Sequence, residues 1–481
     1  MINKEAILLG AVFAPIAAAL VIAPIGRFSG RLRNFLSLAA VLLSLICNLK
    51  LLFLLKSGQI VNFTLNFPLG LNFILVADGL AVFMAIVSSL ISAIIIWYSF
   101  TYIIHYPHQD EYYAWVLLFV GSMMGLVYSQ HLIYLYIFWE LTAISSYRLI
   151  GFFRKESDLY KADKALLVTV GGALLMLTGF IWLYSISGSF ELPVIKESLA
   201  GKIPFGVVAL ILAGILAKSA ILPFHTWLPD AGIAPSPVTA LLHAAVLVKI
   251  GVFVFCRIFV ANITLSNYWY FFIGSLAALS TLVSAGMAFK EYDIKRIIAY
   301  STVSQIGYIL FGFTCMNLWG VSGALFYILT HGLAKAGLFL CAGIIEQNTH
   351  TKDIRKLGGL RKNMPWTAVS FLICAASVMG IPPLGGFFGK FMLFSAAFNS
   401  QQRWLVPFFL VGAFITMAYL IRLFNAVFMG EASNHNLIKT KEGSRGMVLA
   451  VTLLAFLSLV SGIGASFPLN FISEVAKGIL K

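Results

Sequence analysis

Charge is what this chain of 481 residues has least of. Asp, Glu, Lys and Arg make up 11% of it, where soluble domains carry about 25%. No stretch is polar enough to stand alone in water, which excludes a separate soluble domain. Cysteine is equally thin. The five present (Cys47, Cys256, Cys315, Cys341, Cys374) sit singly inside apolar runs without CxxC spacing. That excludes a disulfide framework or a cysteine-held metal site and leaves them as small buried hydrophobes. No nucleotide-binding motif is present, so no cofactor is expected in this chain. The basic residues form no patch interleaved with aromatics, so no nucleic-acid partner is expected. The first apolar run, 6–25, lacks a small-residue cleavage site and is expected to span a membrane rather than be removed.

What is abundant is apolar. Hydrophobic residues make up 60% of the chain, with a mean hydropathy of +0.94. A span needs about 20 apolar residues. Fourteen candidates are found, centred near 15, 45, 88, 120, 141, 175, 213, 248, 278, 305, 332, 380, 415 and 456. The third, fifth, eleventh and twelfth are interrupted by polar residues or glycines. The expected fold is an all-α polytopic membrane protein of about fourteen transmembrane helices, with residues 1–481 forming one membrane domain in contact with the lipid bilayer.

Loops after odd-numbered helices hold 18 basic residues, among them Arg27, Arg31, Arg154, Lys155, Lys352, Arg355 and Lys439. Loops after even-numbered helices, with both termini, hold 8, including Lys4, Lys56, Lys202 and Arg257. Cytoplasmic loops carry the excess of Lys and Arg, so the odd loops are expected in the cytoplasm and both termini outside. The overall charge of +15 is explained in the same way. Seven basic residues remain inside spans: Lys50, Arg148, Lys218, Lys249, Lys335, Lys390 and Arg422.

A charge at mid-membrane costs roughly 2.5–3.5 kcal/mol on insertion scales and is usually paired, hydrated or part of an ion path. Residues 204–260 concentrate this problem. Lys218 and Lys249 lie near the centres of two apolar segments, and Pro223, His225, Trp227, Pro229 and Asp230 lie between them. Proline breaks a helix, and broken helices survive in a membrane only inside protein or beside a cavity. Glu140 is the only acid well inside a span; Asp78 and Glu346 fall near helix ends. Glu140 and a lysine placed together would each keep the other charged. Lys335 follows His331 by four residues, so both share one helix face. Lys390 follows Pro382, Pro383, Gly385 and Gly386, a second proline break beside a lysine, on the opposite side of it from the first. That reversal is what an inverted repeat produces. His243 lies six residues before Lys249, off its face, and suits either a bond to a backbone carbonyl or a relay to another helix. Arg422 and Lys50 read as residues near helix ends; the reading of Arg148 stays open.

The segments WELTAISSYRLIGF, KSAILPFHTWLPDAGIAPSPVTALLHAA, EYDIKRIIAYSTVSQIGYI, LTHGLAKAGLFL and GIPPLGGFFGKF resemble the antiporter-like subunits of respiratory complex I. Related subunits occur in membrane-bound nickel–iron hydrogenases, formate hydrogenlyases and multi-subunit cation/proton antiporters. The resemblance covers about residues 75–430. It implies two inverted five-helix repeats, about 112–260 and 268–430, with helices 1–3 over about 6–105, a last helix over about 447–467, and broken helices 7 and 12. It implies a proton pathway of Glu140 paired with Lys218, then Lys249, His331, Lys335 and Lys390, with His225 and His243 as possible relays. It further implies a non-redox pumping subunit of a redox-driven complex in the inner membrane of a prokaryote, partnered by further antiporter-like subunits and a peripheral redox arm. A subunit of a multi-subunit Na⁺/H⁺ antiporter, a redox-driven Na⁺ pump and a structural member with a closed channel are the alternatives. No long lateral helix follows the fourteenth span, which is expected of members other than the distal, arm-bearing subunit.

Overall fold

The computed structural model describes residues 3–199, 203–431, 437 and 440–481. Lys202 and Lys439, counted above among the loop cations, lie outside the described residues. The membrane helices are α1 (Lys4–Phe28), α2 (Gly30–Lys56), α3 (Gly79–Tyr102), α4 (Gln109–Tyr128), α5 (Leu132–Ile150), α6 (Glu156–Ser187) and α7 (Phe205–Lys218). They continue with α8 (Ser236–Val260), α9 (Asn267–Lys290), α10 (Ile294–Thr314), α11 (Leu318–Thr349), α12 (Pro365–Met379 and Gly385–Phe398), α13 (Val406–Phe428) and α14 (Arg445–Ile463). Eleven of these are long and apolar enough to cross a membrane. The others are α5, 19 residues long and carrying Glu140, and the interrupted α7 and α12. A 14-residue helix is only about 21 Å long against a hydrocarbon core of about 30 Å. So α7 and each half of α12 stop partway across.

Short polar residues set the boundaries. Ser29 alone separates α1 from α2, and its side chain accepts the Leu32 amide at 3.2 Å. Asp78 caps α3 through the Ala81 amide at 2.9 Å, and Asn317 caps α11 through that of Gly320 at 2.9 Å. An N-cap oxygen of this kind satisfies one of the amides a helix start leaves open. Two elements differ from an all-helical expectation. Val61–Leu65 and Phe73–Ala77 form an antiparallel hairpin between α2 and α3, with Leu65 opposite Phe73. Phe73, Leu75 and Ala77 are buried, the period-2 pattern of a half-buried strand. Ser466–Ile479 forms an amphipathic helix after α14, with Ile472, Val475, Ala476 and Ile479 buried and Phe467 exposed.

Burial is unequal. α8 and α10 are enclosed throughout and α11 almost so, while more than half of α1, α2, α6, α13 and α14 is not buried. Lys249, His243, His331 and Lys335 therefore lie on the helices farthest from lipid. Glycines let the enclosed helices approach. At Gly386, in the second half of α12, an added Cβ would lie 1.8 Å from the Ser377 carbonyl of the first half.

Candidate functional site

The site is built from helix ends. α7 stops at Lys218 itself, ahead of Pro223, and Trp227 Nε1 donates to the carbonyl of Ala217 at 3.0 Å. The Lys218 side chain is fully buried, and its Nζ donates to the Trp139 carbonyl of α5 at 3.1 Å, with the Trp139 ring centroid 5.3 Å away. Trp139 precedes Glu140, so the two charges are neighbours, yet no N–O ion pair within 4.0 Å joins them among the described residues. The physical reason is the face Glu140 occupies. It is half-buried on the side of α5 that carries Ile137 and Ile144, 44% and 45% exposed, while Trp139 points inward.

α8 contains a π-turn over Leu241–Ala245, closed by Val246 at φ −131° and ψ −75°. Such turns disturb the i→i−4 ladder and free carbonyls. Here side chains take them: Lys249 Nζ donates to Ala244 O, and Ser88 Oγ of α3 donates to Ala245 O at 3.0 Å. The Lys249 ammonium lies against α11, where a Cβ added at Gly332 would be 2.6 Å from it. Gly332 follows His331, so Lys249 and His331 meet at one helix crossing. The His243 ring packs 4.5 Å from that of Phe339, and the ring nitrogens of His243 and His331 are buried without a partner among the described residues. His225 stands apart, half-buried in the turn after α7.

A chain of hydroxyls and an amide runs from Lys335 to Tyr327, whose ring lies beside Lys390. Lys335 Nζ donates to Ser301 Oγ at 2.6 Å and to Ile298 O at 3.0 Å. Ser301 accepts from Tyr419 OH at 2.7 Å; Tyr419 reaches Thr416 Oγ1 at 3.4 Å; Gln305 Nε2 donates to Thr416 at 3.3 Å; and Tyr327 OH donates to Gln305 Oε1 at 2.6 Å. Lys390 Nζ sits 5.9 Å from the Tyr327 ring centroid and 4.9 Å from that of Tyr308, and donates to Val378 O at 2.8 Å at the end of the first half of α12. The reading of the residues missed Ser301, Gln305, Tyr327, Thr416 and Tyr419. A signal existed: AYSTVSQIGY places Ser301, Ser304 or Gln305, and Tyr308 at helical spacing in a span that is enclosed throughout.

The ion pairs form a contrasting set. Arg33–Asp110 (2.7 Å), Lys164–Asp230 (2.7 Å), Arg296–Asp230 (2.7 Å), Lys295–Glu346 (2.5 Å), and Arg148 and Arg154 with Glu111 all lie at the end carrying the basic loops. Arg257–Asp78 lies at the opposite end. Arg148, open above, thus belongs to a surface cluster. Asp230, in the turn before α8, is pushed up by burial, but hydrogen bonds from Lys164 and Arg296 outweigh this and hold its carboxyl below the usual range.

The family described as NADH:quinone oxidoreductase/Mrp antiporter, transmembrane, matches residues 129–416. The chain belongs to that family. It is 34% identical over 443 residues to a Na⁺/H⁺ antiporter protein of Alkalihalophilus pseudofirmus, covering 85% of this chain and 54% of that protein. It is 35% identical over 502 aligned positions to a Na⁺/H⁺ antiporter protein of Staphylococcus aureus, covering 97% and 62%. Both relatives are named as single subunits of their antiporters. The chain spans between half and two thirds of the length of these relatives. Its fold matches a chain of the Mrp complex from Dietzia sp. DQ12-45-1b at a TM-score of 0.89, with 21% identity and all of both chains covered. It matches a chain of an archaeal membrane-bound sulfane sulfur reductase at 0.90, again with 21% identity, over 100% of this chain and 98% of that one. This is a multi-pass membrane protein of that family with an antiporter-like fold, and both solved structures named here are of membrane complexes.

Proposed function

We propose that this subunit moves protons along the buried row Glu140, Lys218, Lys249, His331, Lys335 and Lys390, with His243 as a relay and His225 at the margin. One observation carries this reading. Every described ion pair lies at one or other end of the helices, whereas the four lysines of the row are held by backbone carbonyls and hydroxyls. A carboxylate partner would lock an ammonium in its charged form; a neutral acceptor leaves it able to release a proton, because desolvation disfavours the charge. Glu140, beside Lys218, is the one group able to bias that release by moving nearer or farther. Protons pass among the Lys218–Glu140 site, Lys249 and His331, and on through Lys335 and the Ser301–Tyr327 chain to Lys390, with water bridging the remaining steps. Electron carriers, if the complex has them, belong to other subunits.

For the driving force, the names of the relatives at 34–35% identity favour sodium/proton exchange by a multi-subunit complex. A redox-driven complex with a peripheral arm is the second reading, favoured by the full-length fold match to a respiratory sulfur reductase. Partner subunits are supported by Glu140, since a half-buried carboxylate at mid-membrane is costly against lipid and is relieved by a neighbouring subunit over that face of α5. Relatives of bacterial origin favour the prokaryotic inner membrane, and the positive-inside rule puts the basic loops in the cytoplasm. The test is proton movement in vesicles holding the whole complex. Lys335→Ala is expected to abolish it while Lys50→Ala, exposed on α2, keeps it. Equal rates in both variants would remove the row from the pathway. A sodium gradient that drives the unmodified complex supports exchange; a response only to a reductant and acceptor supports the second reading.

A further inference from the structure

The row needs a mouth on the cytoplasmic side, and none of its residues reaches that surface. A cavity of about 600 Å³ opens at the basic-loop end between α3, α11 and the start of α14, lined by Thr101, His105, Glu346, Gln347, His350 and Ser444 among others. Its inner wall is a charge pair. The Glu346 side chain is 27% exposed and Lys295 behind it 2% exposed, with 2.5 Å between them. Lys295 also donates to Ala234 O at 3.2 Å, just before α8. Beside this pair, the Tyr102 hydroxyl contacts Ser236 at the first residue of α8, Oγ at 3.4 Å and the amide at 3.3 Å. The Tyr98 ring stacks on Tyr102 at 5.5 Å, and its hydroxyl donates to Leu340 O of α11 at 2.9 Å. At Gly343 an added Cβ would lie 2.7 Å from Tyr98 OH and 2.9 Å from Ser236 Oγ, so hydroxyls from two helices meet a bare stretch of the third. Seven residues along α8 from Ser236, about 10 Å, stands His243, both ring nitrogens buried and without a partner among the described residues.

We infer that this cavity is the cytoplasmic mouth of the proton row, that the Lys295–Glu346 pair is its gate, and that the hydroxyls of Tyr102, Ser236 and Tyr98 lead from it to His243. A proton from the cavity adds to the Glu346 carboxylate, which neutralises it and loosens its hold on Lys295. The same proton passes inward along the hydroxyls to His243, and the carboxylate and its pair are restored. Here the carboxylate faces the cavity and the ammonium faces the interior. This rests on the central row as the proton path.

The test blocks the mouth. All five natural cysteines are buried, so a membrane-impermeant sulfonated thiol reagent addresses only an introduced thiol. Ser444 is exposed at the rim, 3.0 Å from Thr101 Oγ1. Ser157, exposed in the first turn of α6 at the same end, lies outside the cavity. Vesicles with the basic loops outward, holding the whole complex, are assayed for proton movement under a drive to which the unmodified complex responds. Labelling Ser444→Cys is expected to cut its rate at least tenfold and labelling Ser157→Cys to leave its rate unchanged. Glu346→Gln is expected to slow transport to a similar extent at equal subunit content. Labelled Ser444→Cys running at its unlabelled rate overturns the mouth. If Lys218→Arg still abolishes transport in that case, the row stands and its inlet lies elsewhere; if Lys218→Arg transports as well, the row has failed and the mouth with it.

Discussion

Lys218→Arg separates a proton carrier from a structural cation. Lys218 is fully buried, and its one described hydrogen bond is to Trp139 O at 3.1 Å. A charged donor to a neutral acceptor is worth about 1.5–3 kcal/mol, and arginine retains a donor and the charge, so the loss of assembly is small. The difference lies in the neutral form. An ammonium of ordinary pKa near 10.4 is deprotonated roughly once in a few thousand at pH 7, and a guanidinium at 12.5 or above about once in 10⁵ or less. Even before burial acts, the releasable state falls by about two orders of magnitude, and proton movement should fall at least a hundredfold. Lys218→Ala should abolish it too, by removing the carrier. Its stability cost is limited, because the lost hydrogen bond is offset by relief from holding a charge away from water. The assay follows a pH-sensitive dye in vesicles holding the whole complex, with subunit content measured in parallel. Wild-type transport by the arginine variant would show that Lys218 holds charge without passing protons.

Tyr419→Phe removes the hydroxyl bridging Ser301 (2.7 Å) and Thr416 (3.4 Å) and should slow proton movement several-fold, for a stability loss of about 0.5–1.5 kcal/mol; an unchanged rate would show that protons bypass this chain. Gly386→Ala puts a methyl 1.8 Å from the Ser377 carbonyl and should prevent assembly at a cost of more than about 3 kcal/mol, read as loss of the subunit from purified complex. Asp230→Asn should lower the melting temperature by an amount equivalent to roughly 1 kcal/mol near neutral pH, because Lys164 and Arg296 lose their shared partner. Burial pushes this carboxyl up, and the two hydrogen-bonded cations pull it further down, so its folded pKa is depressed. Its contribution is then present above the unfolded value near 3.9 and lost as pH falls through the lower folded one. The gap between wild type and Asp230→Asn should be constant from pH 5 to 8 and close only in strong acid; a gap that closes already at pH 5 would contradict the assignment.

Much of this architecture was legible because the membrane imposes a long, simple signal. Runs of about 20 apolar residues and the proline breaks near Pro223 and at Pro382–Pro383 locate helices without any knowledge of packing. The hairpin at Val61–Leu65 and Phe73–Ala77 was not legible, since five-residue strands bounded by Pro68 and Gly70 carry no periodicity longer than a loop's. Nor was the π-turn in α8, because Leu241–Ala245 differs from ordinary helix only in its hydrogen bonds. The charges were visible one by one, but their partners were not. A sequence cannot say that Lys218 turns to Trp139 O while Glu140 faces the edge of α5, nor that Lys390 reaches back across the break to Val378 O.

Those partners suggest why the irregular helices and the lysines occur together. A regular helix spends its interior carbonyls on its own amides. Lys249 uses a carbonyl within a π-turn, and Lys390 one at the end of a broken half-helix. At a helix C-terminus the open carbonyls carry partial negative charge and favour a cation by roughly 0.3–1 kcal/mol at exposed sites, more where partly buried. That is far weaker than an added carboxylate and leaves no fixed counter-charge to be separated when the proton departs. Arg257 with Asp78 and Lys295 with Glu346 show the other arrangement in the same chain, at the two ends, where water can screen the separated charges. If the row conducts as proposed, an aspartate introduced at Gly332, against the Lys249 ammonium, should arrest transport while adding a charge partner. Its added bulk alone is controlled by asparagine at the same position, which should hinder transport less. Equal arrest by both would mean that space at this crossing, rather than release from Lys249, limits the flow.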